Sequence, residues 1–443
     1  MENNYLFTVP YKDLSYWSYG FLAEQSNNVF KYPMEKLGKY LKRYEERVDL
    51  IADKFFTRIT IKLYGLGIVK RDEALGKDIK TQGQFYIKAG QFIYSNIDAR
   101  NGAFGIVPKE LNNAIITNSF TSFECDTSSL LPEYLVLVLS TNYYMSVFEK
   151  ISVGTTNRRS VKPEALLNIK IPIPLIEKQQ ELLDEYNSAI KYAEAIKPIC
   201  SWLLVEKQMN EFLQLKNTKS EIEGDFLSTI KYSSLLTWDV KNRQGHELFE
   251  TDKYNSVMLN NLVEINPKLS KQLKDDDTVS FIPMECVSDF DGSVKEYREC
   301  KYSTKGFTKF ENGDIIWAKI TPCMQNGKSA IVDGMKNGVG YGSTEFYVLR
   351  RKSDKVLTEY LYYILRSIKV RTQAVNYFSG SAGQQRVRKS FLQELRIPLP
   401  SIQEQKELIA LLDEKKKEMN DKQAEYQIVR QQAKENFENA IFN

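Results

Sequence analysis

Two stretches of the chain place apolar residues mostly three or four apart on a charged background. After position 401 the stripe is Leu408, Leu412, Met419, Tyr426, Val429, Ala433, Phe437 and Ile441; after 175 it is Ile176, Leu183, Tyr186, Ile190 and Ala193. That spacing puts one apolar face of coiled-coil width on a helix, so each stretch is predicted to be a long helix. Ser401 and Glu404 have the spacing of a capping box and mark where the second helix starts. Leu175 occupies the equivalent place in the first copy, which lacks that cap, and Pro198 is expected to bend the first helix by removing a backbone donor. A helix of about 43 residues would reach about 65 Å. It needs a partner, and the nearest is the other helix of the same chain, paired antiparallel between two globular ends.

Ahead of each helix the texture differs. Short segments rich in β-branched and aromatic residues, such as "GQFIYSNI", "DIIWAKI" and "EFYVLRR", are broken by Gly and Asn and interrupted by helical patches such as "PEYLVLVLSTNYYMSVFEKI". That mixture predicts an α+β globular domain.

The two halves repeat each other. "KIPIPLIEKQQEL" from Lys170 returns as "RIPLPSIQEQKEL" from Arg396, and "GTTNRRSVKPEALLNIKIPIP" aligns without a gap to "GSAGQQRVRKSFLQELRIPLP". Further upstream, "GQFIYSNIDARNGAFGIV" from Gly90 matches "GDIIWAKITPCMQNGKSAIV" from Gly313, and "TVPYKDLSYW" from Thr8 matches "TIKYSSLLTW" from Thr229. The expected organisation is therefore a pseudo-two-fold tandem repeat. Domain 1 covers 1–174, a central helical region 175–222, domain 2 223–400 and a C-terminal helical region 401–443.

At 443 residues, with 42% hydrophobic and 12% aromatic content, the chain is long enough for more than one packed core. The start "MENNYLFTVPYKD" has neither a basic lead nor an apolar signal core, and no apolar run is long enough to span a bilayer, so a cytoplasmic protein without a membrane partner is expected. Five widely spaced cysteines with no C-x-x-C pair argue against a disulfide framework or a zinc site and read as small buried hydrophobes.

Net charge is only +4, but it is unevenly placed: +4 over 1–174, −3 over 175–223, +5 over 224–400 and −2 over 401–443. Basic globular parts attract a polyanion and acidic helices do not, so nucleic acid should meet the domains and protein the helices. Candidate contacts are loops that combine Arg or Lys with Asn, Gln, Ser and Gly, since Asn and Gln suit adenine, Arg suits guanine and glycine allows close approach. One pair of loops contributes Thr155, Asn157, Arg158 and Arg159 in the first copy and Ser381, Gln384, Gln385, Arg386 and Arg388 in the second. The other pair contributes Arg100 and Asn101, then Lys319, Gln325, Asn326 and Lys328. Solvated turns would have the same composition, so that alternative stays open.

Enzyme signatures are missing from the sequence. The single histidine, His246, lies between the repeat units, and "CMQNGKS" fails as a phosphate loop because Pro322 stands where glycine is required. No dinucleotide-binding glycine pattern follows a strand, and no amino-methyltransferase motif is found. Catalysis is assigned to partners, although a self-sufficient DNA-modifying enzyme and a coiled-coil adaptor with protein-binding end domains remain the alternatives.

The phrases "IPIPLIEKQQEL" and "IPLPSIQEQKEL", each closing a variable region with a "TSF" or "STEF" segment and a "GSAGQQRV"-like loop, resemble the specificity subunits of type I restriction-modification systems over the whole chain. That resemblance implies two target recognition domains that each read half of a split double-stranded DNA sequence. It also implies an antiparallel coiled coil acting as ruler and docking site for partners: methyltransferase subunits, two of them expected, and restriction/translocase subunits. No cofactor is expected on this chain; S-adenosylmethionine, ATP and Mg would belong to the partners. Carried onto this sequence, the resemblance adds Ser343, Thr344 and Glu345 from an expected strand and Gly380 from the loop.

Overall fold

The computed structural model describes residues 30–81, 83–154, 159–216, 248–303, 305–380 and 384–442. The repeat blocks at Thr8 and Thr229, the 222/223 junction, His246, Thr155, Asn157, Arg158 and Ser381 lie outside these residues. Two compact units form: Met1–Ala195 with Gln427–Asn443, and Ile196–Tyr426.

In the first unit the strands are β1 (Met34–Lys36), β2 (Leu41–Tyr44), β3 (Glu46–Arg47), β4 (Phe55–Ile61), β5 (Ile68–Leu75), β6 (Gln84–Tyr86), β7 (Phe92–Ser95), β8 (Phe104–Ile106), β9 (Ile115–Thr117), β10 (Phe120–Cys125) and β11 (Lys170–Pro172). The helices are α1 (Pro132–Leu139), α2 (Asn142–Ile151), α3 (Pro163–Leu167) and α4 (Ile176–Ile196). One antiparallel sheet has the order β2-β10-β7-β8, and a second, β3-β6-β9-β4-β5, contains the parallel pair β4/β9. Strand β7 is buried throughout because both of its faces are covered. Phe92 and Tyr94 pack with Tyr134, Val138 and Phe148 of the helices, whereas Ile93 faces the core of the second sheet with Ile59, Ile61 and Ile116.

The second unit has β12 (Ser256–Met258), β13 (Val263–Ile265), β14 (Thr278–Ile282), β15 (Arg298–Lys301), β16 (Thr308–Glu311), β17 (Ile315–Ala318), β18 (Ser329–Ile331), β19 (Val339–Gly342), β20 (Phe346–Arg351), β21 (Phe378–Ser379), β22 (Arg386–Val387) and β23 (Arg396–Pro398). Its helices are α5 (Trp202–Phe212), α6 (Thr358–Arg366), α7 (Ile368–Val375), α8 (Lys389–Glu394) and the long α9 (Ile402–Ile441), whose segment from Gln427 belongs to the first unit. The sheet β13-β20-β17-β18 repeats β2-β10-β7-β8, and β16-β19-β14-β15 repeats β6-β9-β4-β5, parallel pair included. Thus the α+β tandem repeat extends into a second sheet where the sequence match gave no sign of it. "EFYVLRR" forms its strand from Phe346, so Ser343, Thr344 and Glu345 precede the strand rather than lie in it.

The Pro-x-Pro phrase joins sheet to helix in the same way twice. β11 pairs with β1 and β23 with β12, while the buried hydroxyl of Tyr134 donates to the Pro172 carbonyl (3.1 Å) and that of Tyr360 to the Pro398 carbonyl (2.6 Å). Behind the prolines, a fully buried glutamine fastens each helix to its domain. Gln179 Nε2 donates to the carbonyls of Ser129 and Pro174 (2.9 Å each) and its Oε1 accepts from Leu131 N (2.9 Å). Gln405 does the same with Lys355 and Pro400 (2.9 Å each) and Leu357 N (2.8 Å).

Most of the predicted stripe is buried, namely Leu408, Leu412, Met419, Tyr426, Ala433, Phe437 and Ile441 in α9 and Leu183 and Ala193 in α4, whereas Val429, Ile176, Tyr186 and Ile190 are half-buried. In the first unit Leu182, Leu183 and Tyr186, early in α4, cluster with Phe437 and Ile441, late in α9, so these helix segments meet as antiparallel neighbours. The capping box closes as expected, with Glu404 N donating to Ser401 Oγ (3.3 Å) and Ser401 N to Glu404 Oε2 (3.0 Å). Pro198 does more than bend the first helix. It sits in a 3-10 turn, Lys197–Ile199, that ends α4, and Ser201 caps a new helix, α5. Of the cysteines only Cys286 is buried; the other four are half-buried thiols.

Candidate nucleic-acid interface

In the second unit the two candidate loops, far apart in sequence, lie side by side. Gly380, directly after β21, adopts φ 109°, a conformation that favours glycine. From β22 the chain bridges to the other loop: Ile320 pairs with Arg386, Thr321 N donates to the Gln385 carbonyl (3.0 Å) and Val387 N to the Lys319 carbonyl (2.9 Å). Lys319 N in turn donates to the Glu345 carbonyl (2.9 Å), so the segment before β20 joins the group.

Arg386 forks onto Glu345, Nε lying 2.9 and 3.1 Å from its two oxygens and Nη2 2.8 Å from Oε1, while Nη1 donates to the Gln384 carbonyl (2.9 Å). The hydrogen bonds from Arg386 hold the Glu345 carboxyl below the usual carboxylate range. Arg386 keeps 39% of its side chain exposed, so the pair is screened by water and orients the guanidinium without locking it. Lys319 stands over the Tyr347 ring at 5.2 Å. Gln325, Asn326, Thr344, Gln384 and Arg388 are exposed, whereas Lys328 Nζ is turned to the Met284 carbonyl (2.9 Å) and supports the fold.

The first unit builds the same frame around different charges. Val153 and Ser160 bridge, Val161 N donates to the Asn96 carbonyl (2.8 Å) and Asn96 N to the Ser119 carbonyl (2.9 Å), matching bonds at Val387, Lys319 and Glu345. Ser119 therefore replaces Glu345. The acid comes from α2 instead: Glu149 accepts from Arg159 Nη1 (2.6 Å) and lies 3.7 Å from Arg100 Nη1. Arg159 Nη2 also donates to the carbonyls of Glu149 (3.2 Å) and Ser152 (3.1 Å). Asn101 is half-buried, its Nδ2 3.4 Å from Asp98 Oδ1 and its backbone carbonyl accepting from Tyr64 N (2.8 Å). Sequence reasoning missed Glu149, because a single acid in "VFEKI" gives no sign of two arginines from other segments. Asn96 carries no such signal either, since it joins the frame through its backbone while its side chain is taken up by the Asn118 carbonyl and the Thr121 hydroxyl.

Two repeated α+β domains, each joining its basic loops into one frame and running into a helix behind a Pro-x-Pro phrase, define the class of protein. The chain matches the model of the type I restriction modification DNA specificity domain twice, over residues 42–191 and 251–426, more than half of its length, and it belongs to that family. It is 42% identical over 163 residues to the EcoAI specificity subunit of the Escherichia coli type I restriction enzyme, covering 36% of this chain and 27% of that relative. It is 39% identical over 158 residues to the Escherichia coli EcoEI specificity subunit, covering 34% and 26%. The chain thus spans about a quarter of the length of these two relatives. In fold it is similar to a chain solved in work on the complex assembly and conformational transition of the type I R-M system, with a TM-score of 0.54 at 15% identity over 93% of this chain and 99% of that one. No described helix is long and apolar enough to cross a membrane.

Proposed function

We propose that this chain is the non-catalytic specificity subunit of a type I restriction-modification complex. Domain 1 (1–174) reads one half of a split double-stranded DNA target, and domain 2 (223–400) reads the other. The helical regions 175–222 and 401–443 dock methyltransferase and restriction/translocase subunits, which would carry S-adenosylmethionine, ATP and Mg. The observation that carries the reading is the duplicated frame in which Val161 N reaches the Asn96 carbonyl (2.8 Å) and Val387 N the Lys319 carbonyl (2.9 Å), each time placing an arginine-bearing loop against a second polar loop. Both loops of a frame then offer amide and guanidinium groups at one place, as base-edge recognition requires. Arg100, Arg159, Lys319, Gln325, Asn326, Gln384, Gln385, Arg386 and Arg388 are the described candidates for contact.

Methylome sequencing of cells carrying the system tests this reading, with the chain present, deleted, or exchanged over 223–400 for the same segment of a relative. The expected result is a split methylated motif that requires the chain and changes in one half only after the exchange. A motif independent of the chain, or one that changes in both halves, overturns the reading.

A further inference from the structure

The second unit contains a buried guanidinium that touches none of the candidate loops' exposed side chains yet holds one loop from beneath. Arg366, the last residue of α6, is 2% exposed. Its guanidinium lies over the Trp202 indole of α5 at 4.3 Å. Nη2 donates to the carbonyls of Asp289 (2.7 Å) and Phe290 (2.8 Å), and Nη1 donates to the carbonyl of Gly327. Arg371, one turn into α7, adds a second grip: its Nε donates to the Arg366 carbonyl (3.0 Å) and its Nη1 to the Gln325 carbonyl (2.6 Å). The carbonyls of Gln325 and Gly327 bracket Asn326, so the backbone under the two exposed amide side chains is fixed on both sides. Gly327, at φ 83°, suits this grip, because a Cβ there would come within 3.1 Å of the Arg371 guanidinium.

The other end of the device is the helix that leads into the unit. Trp202 stacks on Tyr363 with ring centroids 5.9 Å apart, and Glu206, one turn on in α5 and 5% exposed, accepts from Ile368 N (2.6 Å) and Lys369 N (3.1 Å) at the start of α7. Helix α5 therefore grips both arginines, Arg366 through its ring and Arg371 through the helix that bears it. Among the described residues the first unit shows no such clamp. Ser140 precedes the capping residue Thr141 as Arg366 precedes Ser367, and its hydroxyl donates to the Val136 carbonyl of its own helix (2.7 Å).

We propose that Arg366 and Arg371, seated on Trp202 and Glu206 of α5, are positioning residues for the second half-site: they set where the Gln325 and Asn326 side chains stand against the base edges. The inference rests on the reading of this loop as DNA-contacting. Carbonyls held by charged donors form short, directional bonds, and a displacement of about 1 Å removes a bidentate base contact while leaving general phosphate attraction untouched.

The test uses the full chain with its methyltransferase partner and duplexes carrying its split motif, intact or changed at one base pair in either half. In the natural protein each change should weaken binding by roughly 5- to 150-fold. With Arg371→Ala or Trp202→Ala, discrimination should fall by about tenfold at one or more positions of the second half and stay as it was in the first, whereas Trp202→Phe, which keeps a ring under Arg366, should retain it. Full discrimination in both alanine variants overturns the proposal, and so does an equal loss in both halves. A lowered melting temperature with discrimination intact also overturns it, by assigning the cluster to stability alone. Absence of any split-site preference in the natural protein would instead remove the DNA reading itself, and the inference with it.

Discussion

The two loop frames share their backbone bonds and differ in their charges. In the second unit Arg386 meets Glu345, which immediately precedes the central strand β20; in the first, Arg159 stands one aligned position earlier and meets Glu149 from a helix, with Arg100 approaching the same carboxylate. The backbone bonds joining the loops, the tyrosine on the Pro-x-Pro carbonyl and the buried glutamine behind it recur at the same offset of 226 residues or close to it. A loop hung on such a frame can exchange its charged side chains while its anchor stays in place. The carboxylate that steadies the arginine need only come within reach, and it has come from a different element in each unit. The frame is thus common to both units, and the charges hung on it differ between them.

The largest expected effect tests the shared part. Replacing Gln405 by Ala removes the partner of Leu357 N and of the carbonyls of Lys355 and Pro400, the last in a buried bond, and Gln179→Ala does the same to Leu131 N and the carbonyls of Ser129 and Pro174. Buried groups without partners are expensive, so each variant should lose about 3 kcal/mol. Chemical denaturation followed by hydrogen exchange at the amides of each unit would measure it. Equal losses, each confined to the mutated unit, support the comparison; a large loss at one glutamine and none at the other breaks it.

These glutamines also show what sequence reading could and could not see. The helical stripe was legible because apolar letters at helical spacing report burial directly, and Leu408, Leu412 and Met419 are buried as that spacing requires. A polar letter in the buried stripe does not report itself, so Gln179 and Gln405 passed unnoticed inside the very phrase that revealed the repeat. The second sheet was hidden for another reason: "FFTRITI" of β4 and "TVSFI" of β14 share little spelling, and their equivalence lies in a parallel pairing that periodicity does not encode. Likewise each loop could be singled out by its Gly, Asn, Gln and Arg content, but the bridge from Ile320 to Arg386 joins residues 66 positions apart and no local pattern announces it.

A middle-sized effect tests the part that differs. Arg386→Ala should weaken binding to the cognate duplex by about tenfold and relax one position of the second half-site, and Arg159→Ala should do the same in the first, if each leaves its carboxylate for a guanine. A uniform loss across sequences with a shallower salt dependence would mark a phosphate contact instead. Arg159 has more to give up, because it also donates to the carbonyls of Glu149 and Ser152, whereas Arg386 is held outside its acid by one carbonyl of its own turn. The Arg386 variant is therefore expected to show the larger share of its effect in binding and the smaller share in folding. The reverse order, seen in parallel binding and denaturation measurements, would mean that the two charge arrangements do not play corresponding parts.

The smallest effect lies where the helices begin. Ser401 caps α9 through the N–H of Glu404, and the Glu404 carboxylate returns to the Ser401 N–H; Leu175, 80% exposed at the same place before α4, offers no acceptor beyond its carbonyl, which takes the N–H of Lys178 at 2.9 Å. Leu175→Ser should therefore stabilise the first unit by about 0.5–1 kcal/mol, and Ser401→Ala should destabilise the second by about 1 kcal/mol. Only half of the box can form in the single variant, since position 178 is a lysine that pairs with Glu181 at 2.6 Å and has no carboxylate to send back. Adding Lys178→Glu should raise the gain further, because an acid in the first turn also faces the positive end of the helix. Denaturation midpoints at unchanged slope would read these differences. A loss of stability in Leu175→Ser would show that the exposed leucine packs against something the serine cannot replace, and the two helix starts would then differ in more than their caps.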